Sequence, residues 1–214
     1  MQELVTTSGK KIHVYDNVLS DNIVEQWKKF YEQSVSFKIS AIENEQDASG
    51  ETQVCFVSPI SMKDRIGVFE VDVWLPEILN SYQPSCKLKH FTRSYLNLMI
   101  AGDRMTGHVD EEHLTSKLTE DEFYVVCLLY LNPFVKPHTQ TGIHIEDQYV
   151  ENKFNRLVVF NGTSWHKPVP PPDDLARLTL YMSFTNSHQR TRVRDLDKPV
   201  IKNYWTRKIK TSSF

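Results

Sequence analysis

Between Arg177 and Phe184 the chain alternates without a break. Leu178, Leu180, Met182 and Phe184 fall on one face of an extended segment, and Arg177, Thr179, Tyr181 and Ser183 fall on the other. A second segment does the same: Ser94, Leu96, Leu98 and Ile100 oppose Arg93, Tyr95, Asn97 and Met99. Period-two patterning of this kind demands a sheet with an apolar and a polar face, and the polar faces here carry chemistry-bearing side chains instead of simple solvating ones. Phe123 to Leu131 reads as a denser strand, apolar on both faces. Thr141–Ile145 and Arg156–Phe160 are shorter candidates.

The first third predicts a mixed lead-in. A short strand is expected at Lys11–Tyr15, and a helix starting at Ser20-Asp21 carries Val24, Trp27, Phe30 and Tyr31 as its apolar stripe. A second helix is expected over Trp74–Tyr82, with Pro76 near its start. Ile39 to Gly50 is polar and acidic and reads as a loop or flap. Many short strands after such a lead-in imply a mainly β chain with flanking helices, a sandwich or barrel with its edges closed and helices packed outside. At 214 residues the chain is expected to form one domain: a lead-in over 1–86, a β core over 87–186 and a basic extension over 187–214.

Charge and composition narrow the function. The net charge of −2 argues against a general polyanion binder, yet it averages two unlike parts. Residues 187–214 hold eight Lys+Arg and two Asp, net +6, which leaves −8 for the rest. Apolar runs such as Val125 to Leu131 are far short of the roughly 20 residues of a spanning helix. The first residues lack the pattern of a secretory signal, so no membrane association and a cytoplasmic location are expected. Cys55, Cys86 and Cys127 show no Cys-x-x-Cys spacing and read as inert thiols.

The eight histidines supply the remaining clue. His108-Val109-Asp110 places an imidazole and a carboxylate at i and i+2, on one face if the segment is extended. With eight histidines and 27 acidic residues in 214, chance alone supplies about one such triplet, and His144-Ile145-Glu146 is another. Downstream of the first, Asn161 to Trp165 form a turn after the strand Leu157–Phe160 and deliver His166. Two imidazoles and one carboxylate with open positions form the facial triad of non-haem iron oxygenases. Eleven residues further on, Arg177 stands on the polar face of its strand with Thr179 beside it. A guanidinium there wants an anion, and its planar fork suits a carboxylate.

In this order His108-Val109-Asp110, His166 and Arg177, with Gly102, Tyr130-Leu131-Asn132 and Arg156–Phe160 around them, resemble the Fe(II)/2-oxoglutarate-dependent dioxygenases, in particular their prolyl-4-hydroxylase-like branch. The resemblance runs from about Phe91 to Phe184. It implies a double-stranded β-helix, a cupin-like jelly roll, with iron held by His108, Asp110 and His166. It implies 2-oxoglutarate as cosubstrate, its distal carboxylate on Arg177 and Thr179, with Asn97, Tyr130 and Tyr95 as further cosubstrate candidates. It also implies O2 as oxidant, ascorbate as a supporting reductant, and hydroxylation of a prolyl, amino-acid or other small substrate with release of succinate and CO2. The chain departs from the branch at Met105, where an aromatic residue is usual, and at Thr141–Ile145, which replaces a Gly-Gly-x-x-Phe-like segment. Asp110 argues against a halogenase, which leaves that position empty for chloride.

Three alternatives stand beside this reading. The histidines can hold a structural metal in a cupin-like module without turnover. His144 and Glu146 can be the ligands, or His144 can line the pocket. Third, the basic tail, with Tyr204-Trp205 before Arg207-Lys208, can serve an oxidative dealkylase acting on nucleic acid, against small-molecule or peptide substrates. His13, His90, His138 and His188 lack ligand-spaced partners, and His113 reads as a solvated loop residue close to the site. The polar segments Ile39–Gly50 and Glu111–Glu122 are the expected gates.

Overall fold

The computed structural model describes residues 1–32, 38–42, 53–58, 69–100, 107–110, 118–132, 141–172 and 176–187. In chain order the elements are β1 (Gln2–Val5), β2 (Lys11–Asp16), α1 (Asp21–Glu32), β3 (Lys38–Ile42), β4 (Gln53–Ser58) and α2 (Val71–Tyr82). A 3-10 turn at Leu88–His90 then leads into β5 (Phe91–Ile100), β6 (Tyr124–Tyr130), β7 (Gly142–Ile145), β8 (Gln148–Glu151), β9 (Arg156–Asn161), β10 (His166–Val169) and β11 (Ala176–Thr185).

Two antiparallel sheets face each other. The larger runs β1-β2-β9-β6-β11-β5-β4-β3 and the smaller β10-β7-β8. Strands from the first 86 residues thus add to both edges of the sheet that β5, β6, β9 and β11 build. β11 lies at its centre, pairing with β5 from Ala176↔Ile100 to Phe184↔Phe91 and with β6 from Thr179↔Tyr130 to Thr185↔Tyr124. The alternation read from the sequence decides which way each face looks. Leu178, Leu180, Met182 and Phe184 join Leu96, Leu98, Cys127, Leu129 and Val159 in one core on the outer face of the large sheet. α1 and α2 close that core with Ile23 and Trp27 from the first and Val71, Leu75 and Leu79 from the second. Trp27 is fully buried and spends its polar atom well, its indole Nε1 donating to the Leu131 carbonyl at 2.8 Å. A second core lies between the sheets, where Val126, Val158, Phe160 and Ile12 meet Ile143, Ile145 and Val150 of the small sheet.

The period-two segments are strands as expected, and both helices are present. α2 begins at Val71, three residues before the expected start, behind Glu70 in the left-handed region (φ 47°). The expected loop from Ile39 is corrected over its first residues: Lys38–Ile42 is a strand paired to β4 from Lys38↔Val57 to Ile42↔Gln53. The short alternation of β3 runs straight into an acidic stretch that masks it in the sequence, and long-range pairing decides the matter. Residues 43–50 lie outside the described set, as do 111–117 of the second expected gate and the tail beyond Ser187. Among the described residues no helix is long and apolar enough to cross a membrane. Cys86 and Cys127 are free and buried; burial pushes the Cys86 thiol up to about 12 and Cys127 well above the ordinary thiol range.

Candidate metal and cosubstrate site

His108 and His166 are brought together by backbone pairing. They form an isolated antiparallel bridge, each N–H donating to the other's carbonyl, at 2.9 and 2.8 Å. His166 opens β10, so the turn after β9 delivers it as expected. His108-Val109-Asp110 does not lie on a regular strand: His108 sits at the bridge and Asp110 in a turn. That turn carries the carboxylate back toward both rings. His108 Nε2 lies 3.7 Å from Asp110 Oδ1 and His166 Nε2 lies 3.8 Å from Oδ2, with the ring centroids 4.5 Å apart. One ligand atom from each of the three residues lies within 4.8 Å of the others.

Two close approaches hold this geometry. Gly107 lies under the Trp165 ring, where an added Cβ would stand 1.8 Å from Cζ2. Trp165 thus covers the backbone beside His108 and precedes the other histidine, which fits packing support. His166 is also steered by its own turn, its Nδ1 lying 3.1 Å from the Ser164 carbonyl, which leaves Nε2 toward Asp110.

Asp110 is buried, at 6% exposure. Burial works to raise its pKa, but the neighbouring His166, His108 and Arg93 outweigh it and hold the carboxyl well below the usual range. His166 goes the other way: burial lowers it, against the pull of the Asp110 charge. An ionised carboxylate and a neutral imidazole are the forms that ligate a divalent ion.

Along the inner face of the large sheet runs a polar belt. Arg177 lies opposite Met99, Thr179 is flanked by Asn97 and Tyr130, Tyr181 lies opposite Tyr95, and Ser183 opposite Arg93. Arg177 is 4% exposed and its Nη1 donates to the carbonyls of Gly142 and Val169, the latter at 3.2 Å, which ties the fork to the small sheet. Near it Tyr130 Oη and Asn97 Oδ1 are buried with no hydrogen-bond partner among the described residues. Burial pushes the Tyr130 phenol up to about 12, so it stays a neutral donor. A buried hydroxyl donor beside a guanidinium is what a bound carboxylate would satisfy.

Sequence reasoning placed Tyr95 here but assigned nothing to Tyr181 or Arg93, which share its face. Tyr181 Oη donates to Asp110 Oδ2 at 2.8 Å, and its ring stacks on Tyr95, with centroids 4.6 Å apart and planes 12° apart. The Arg93 guanidinium lies 5.2 Å from the Tyr181 ring centroid and 5.7 Å from that of Tyr95. The signal was the alternation itself: positions two and four residues from Arg177 and Tyr95 must project into the same space.

His144 and Glu146 are not assembled as ligands. His144 is exposed on β7 and contacts the Tyr149 ring at 5.0 Å, whereas Ile143 and Ile145 point inward, so it does not line the interior. Glu146 pairs with Lys10 at 2.8 Å and with Ser8. His13, read as partnerless, meets Glu3 across β1–β2 at 2.9 Å, a pair that neighbouring strands create and sequence spacing hides. Gly102, Met105, His113, His138 and His188 lie outside the described residues.

The two facing antiparallel sheets form a double-stranded β-helix, a jelly roll. The chain matches no protein-family model and no curated protein sequence. Among solved structures it resembles a Pseudomonas putida prolyl-4-hydroxylase, at 17% identity and TM-score 0.51, over 81% of this chain and 91% of that one. A 2OG-Fe(II) oxygenase family oxidoreductase of Burkholderia pseudomallei aligns at 11% identity and TM-score 0.56, over 84% and 85%. HygX of Streptomyces hygroscopicus, solved with nickel, 2-oxoglutarate and hygromycin B bound, aligns at 12% and TM-score 0.54, over 81% and 82%. At such identities the likeness establishes the fold.

Proposed function

We propose that this chain is an Fe(II)- and 2-oxoglutarate-dependent oxygenase that hydroxylates a prolyl, amino-acid or other small substrate, with release of succinate and CO2. The observation that carries the reading is one juxtaposition: His108, Asp110 and His166 converge on the same interior that Arg177, Thr179, Asn97 and Tyr130 line. The donor set fits iron, because three ligands of mixed nitrogen and oxygen type leave coordination positions for cosubstrate and oxygen. The polar belt fits a dicarboxylate, because Arg177 is anchored to the small sheet and the nearby Tyr130 hydroxyl is buried with no hydrogen-bond partner among the described residues.

In this reading His108, Asp110 and His166 hold the metal, and Arg177 with Thr179 and Tyr130 orients the distal carboxylate. Asn97 and Tyr95 complete the wall. Bound iron and 2-oxoglutarate supply the oxidising chemistry with O2 as oxidant. The chain's own residues bind, orient and exclude water: Tyr181 fixes Asp110, and Val126, Val158 and Phe160 line the dry side of the interior. Residues 1–214 act as one domain, which the continuity of the large sheet from β1 to β11 supports.

The test is direct. Purified protein with Fe(II), ascorbate and O2 is expected to convert 2-oxoglutarate to succinate, and anaerobic addition of 2-oxoglutarate to the Fe(II) protein to give a visible charge-transfer band. Arg177→Met should raise the 2-oxoglutarate concentration needed for the band by about 10- to 100-fold. Absence of both succinate and band in the wild type would overturn the reading, and metal-dependent stabilisation with no 2-oxoglutarate effect would make the chain a cupin-like binding module.

A further inference from the structure

We propose that Asn152 is a further cosubstrate-binding residue, whose buried carboxamide donates from the small sheet to the distal carboxylate that Arg177 receives from the large one. The inference rests on the oxygenase reading and adds a residue to its cosubstrate site. Asn152 directly follows β8, which pairs with β7 from Ile145↔Gln148 to Gly142↔Glu151. One further step of that register sets Asn152 across from Thr141, and the Asn152 N–H donates to the Thr141 carbonyl at 2.8 Å. Paired residues of neighbouring strands share a face, and alternation carries the inward face of Ile143 and Val150 on to Thr141 and Asn152. Both are buried there, Asn152 at 5% exposure.

This end of the small sheet lies beside Arg177. Thr141 Oγ1 donates to the Val169 carbonyl at 3.0 Å, and Arg177 Nη1 donates to the same carbonyl and to that of Gly142, the neighbour of Thr141. On the other flank the Asn155 N–H donates to the Tyr130 carbonyl at 2.9 Å, which fastens the turn after β8 to the end of the strand that carries Tyr130. Asn155 shows what a structural asparagine does in that turn: its Oδ1 accepts from the Leu19 N–H at 2.7 Å and its Nδ2 donates to the Leu19 carbonyl at 3.0 Å. Asn152 has the same chemistry and spends none of it. Its Nδ2 and Oδ1 are both buried with no hydrogen-bond partner among the described residues, as is the Tyr130 hydroxyl. Burying an amide in that state costs the fold free energy that an apolar side chain would not. A ligand explains it: Nδ2 from one sheet and the phenol from the other donate to a carboxylate beside the guanidinium, and Oδ1 is left to accept from a water.

The test sets stability against binding. Asn152→Leu, which replaces unmatched polar atoms by methyl groups, should leave the melting temperature of the metal-free protein unchanged or raise it. The same variant should weaken 2-oxoglutarate binding to the Co(II)-loaded protein, followed under argon through its visible ligand-field bands, by about 10- to 100-fold. Asn152→Asp, which sets an acid against the carboxylate, should weaken it at least as far. Oxalate is the control: it can chelate the same metal and is too short to reach Arg177, so its affinity should be unchanged in both variants. On the Fe(II) protein the loss should appear in KM for 2-oxoglutarate, with kcat recovered at saturation. Should Asn152→Leu not fold, Asn152→Ser carries the same comparison. Unchanged 2-oxoglutarate affinity in the variants, or equal losses for 2-oxoglutarate and oxalate, overturns the proposal. If 2-oxoglutarate neither changes the spectrum of the wild-type metal protein nor is turned over, it is the oxygenase reading that fails, and this inference falls with it.

Discussion

Replacing Tyr181 with Phe isolates the one hydroxyl that fixes Asp110. The ring stack on Tyr95 and the seat of Arg93 over both rings survive in Phe, so shape is retained and a single O–H is removed. That O–H donates at 2.8 Å to a carboxylate buried to 6% exposure and held ionised, while burial and the Asp110 charge keep the Tyr181 phenol protonated, far above its ordinary value. A hydrogen bond to a buried charge contributes about 1.5–3 kcal/mol, and its loss leaves an acceptor without its donor. In a chain of this length about 2 kcal/mol lowers the melting temperature by about 4–8 °C. The larger consequence concerns metal affinity, because partners that orient a ligating carboxylate change it by about 10- to 100-fold. Titration of the apo protein with Fe(II) under argon, or with Co(II) followed by its visible ligand-field bands, reads the affinity; calorimetry reads the melting point. Tyr181→Ala should cost about 3–5 kcal/mol by emptying the stack as well. A Phe variant that melts and binds metal as the wild type does would refute this account of Asp110.

Gly107→Ala should weaken metal binding and lower the melting point, because the new Cβ meets Trp165 at 1.8 Å; the double variant with Trp165→Ala should recover much of the loss, a coupling that a double-mutant cycle measures. Asp16 should make the fold acid-sensitive. The hydrogen bond from Arg156, helped by Lys153, holds its carboxyl down at about 2, against an ordinary 3.8. The pair therefore stabilises the fold fully above about pH 4 and loses that contribution as the pH falls toward 2; Asp16→Asn should flatten stability in that window when followed by denaturant melts. The thiols of Cys86 and Cys127 should resist a maleimide at pH 8 in the native protein and react on unfolding, which peptide mass mapping can assign.

Much of the site was legible because strand periodicity is a strictly local property. Once Arg177 and Arg93 are on strands, alternation alone sends Thr179, Tyr181, Tyr95 and Asn97 to their side of the sheet, and the structure places them there. The apolar partners Leu178, Leu180 and Met182 follow to the helix-covered face for the same reason. Illegible were features that depend on which strands become neighbours. β3 has only five residues and merges into an acidic run, so its pairing with β4 carries more information than its composition. Likewise His144-Ile145-Glu146 and His108-Val109-Asp110 have the same form in the sequence, and nothing local separates them.

The sequence by itself determined the residue types, the faces they occupy and the order in which histidine, carboxylate, histidine and arginine arrive along the chain. Only the tertiary structure decided which His-x-acid triplet converges with a second imidazole, and it did so through a backbone bridge between His108 and His166, residues far apart in sequence. It also turned Tyr181 toward Asp110 and seated Arg93 over two rings. The physical reason is range. Side-chain direction along a strand repeats every second residue and is fixed by the backbone, whereas convergence on one point depends on sheet register and on turns whose partners lie many residues away.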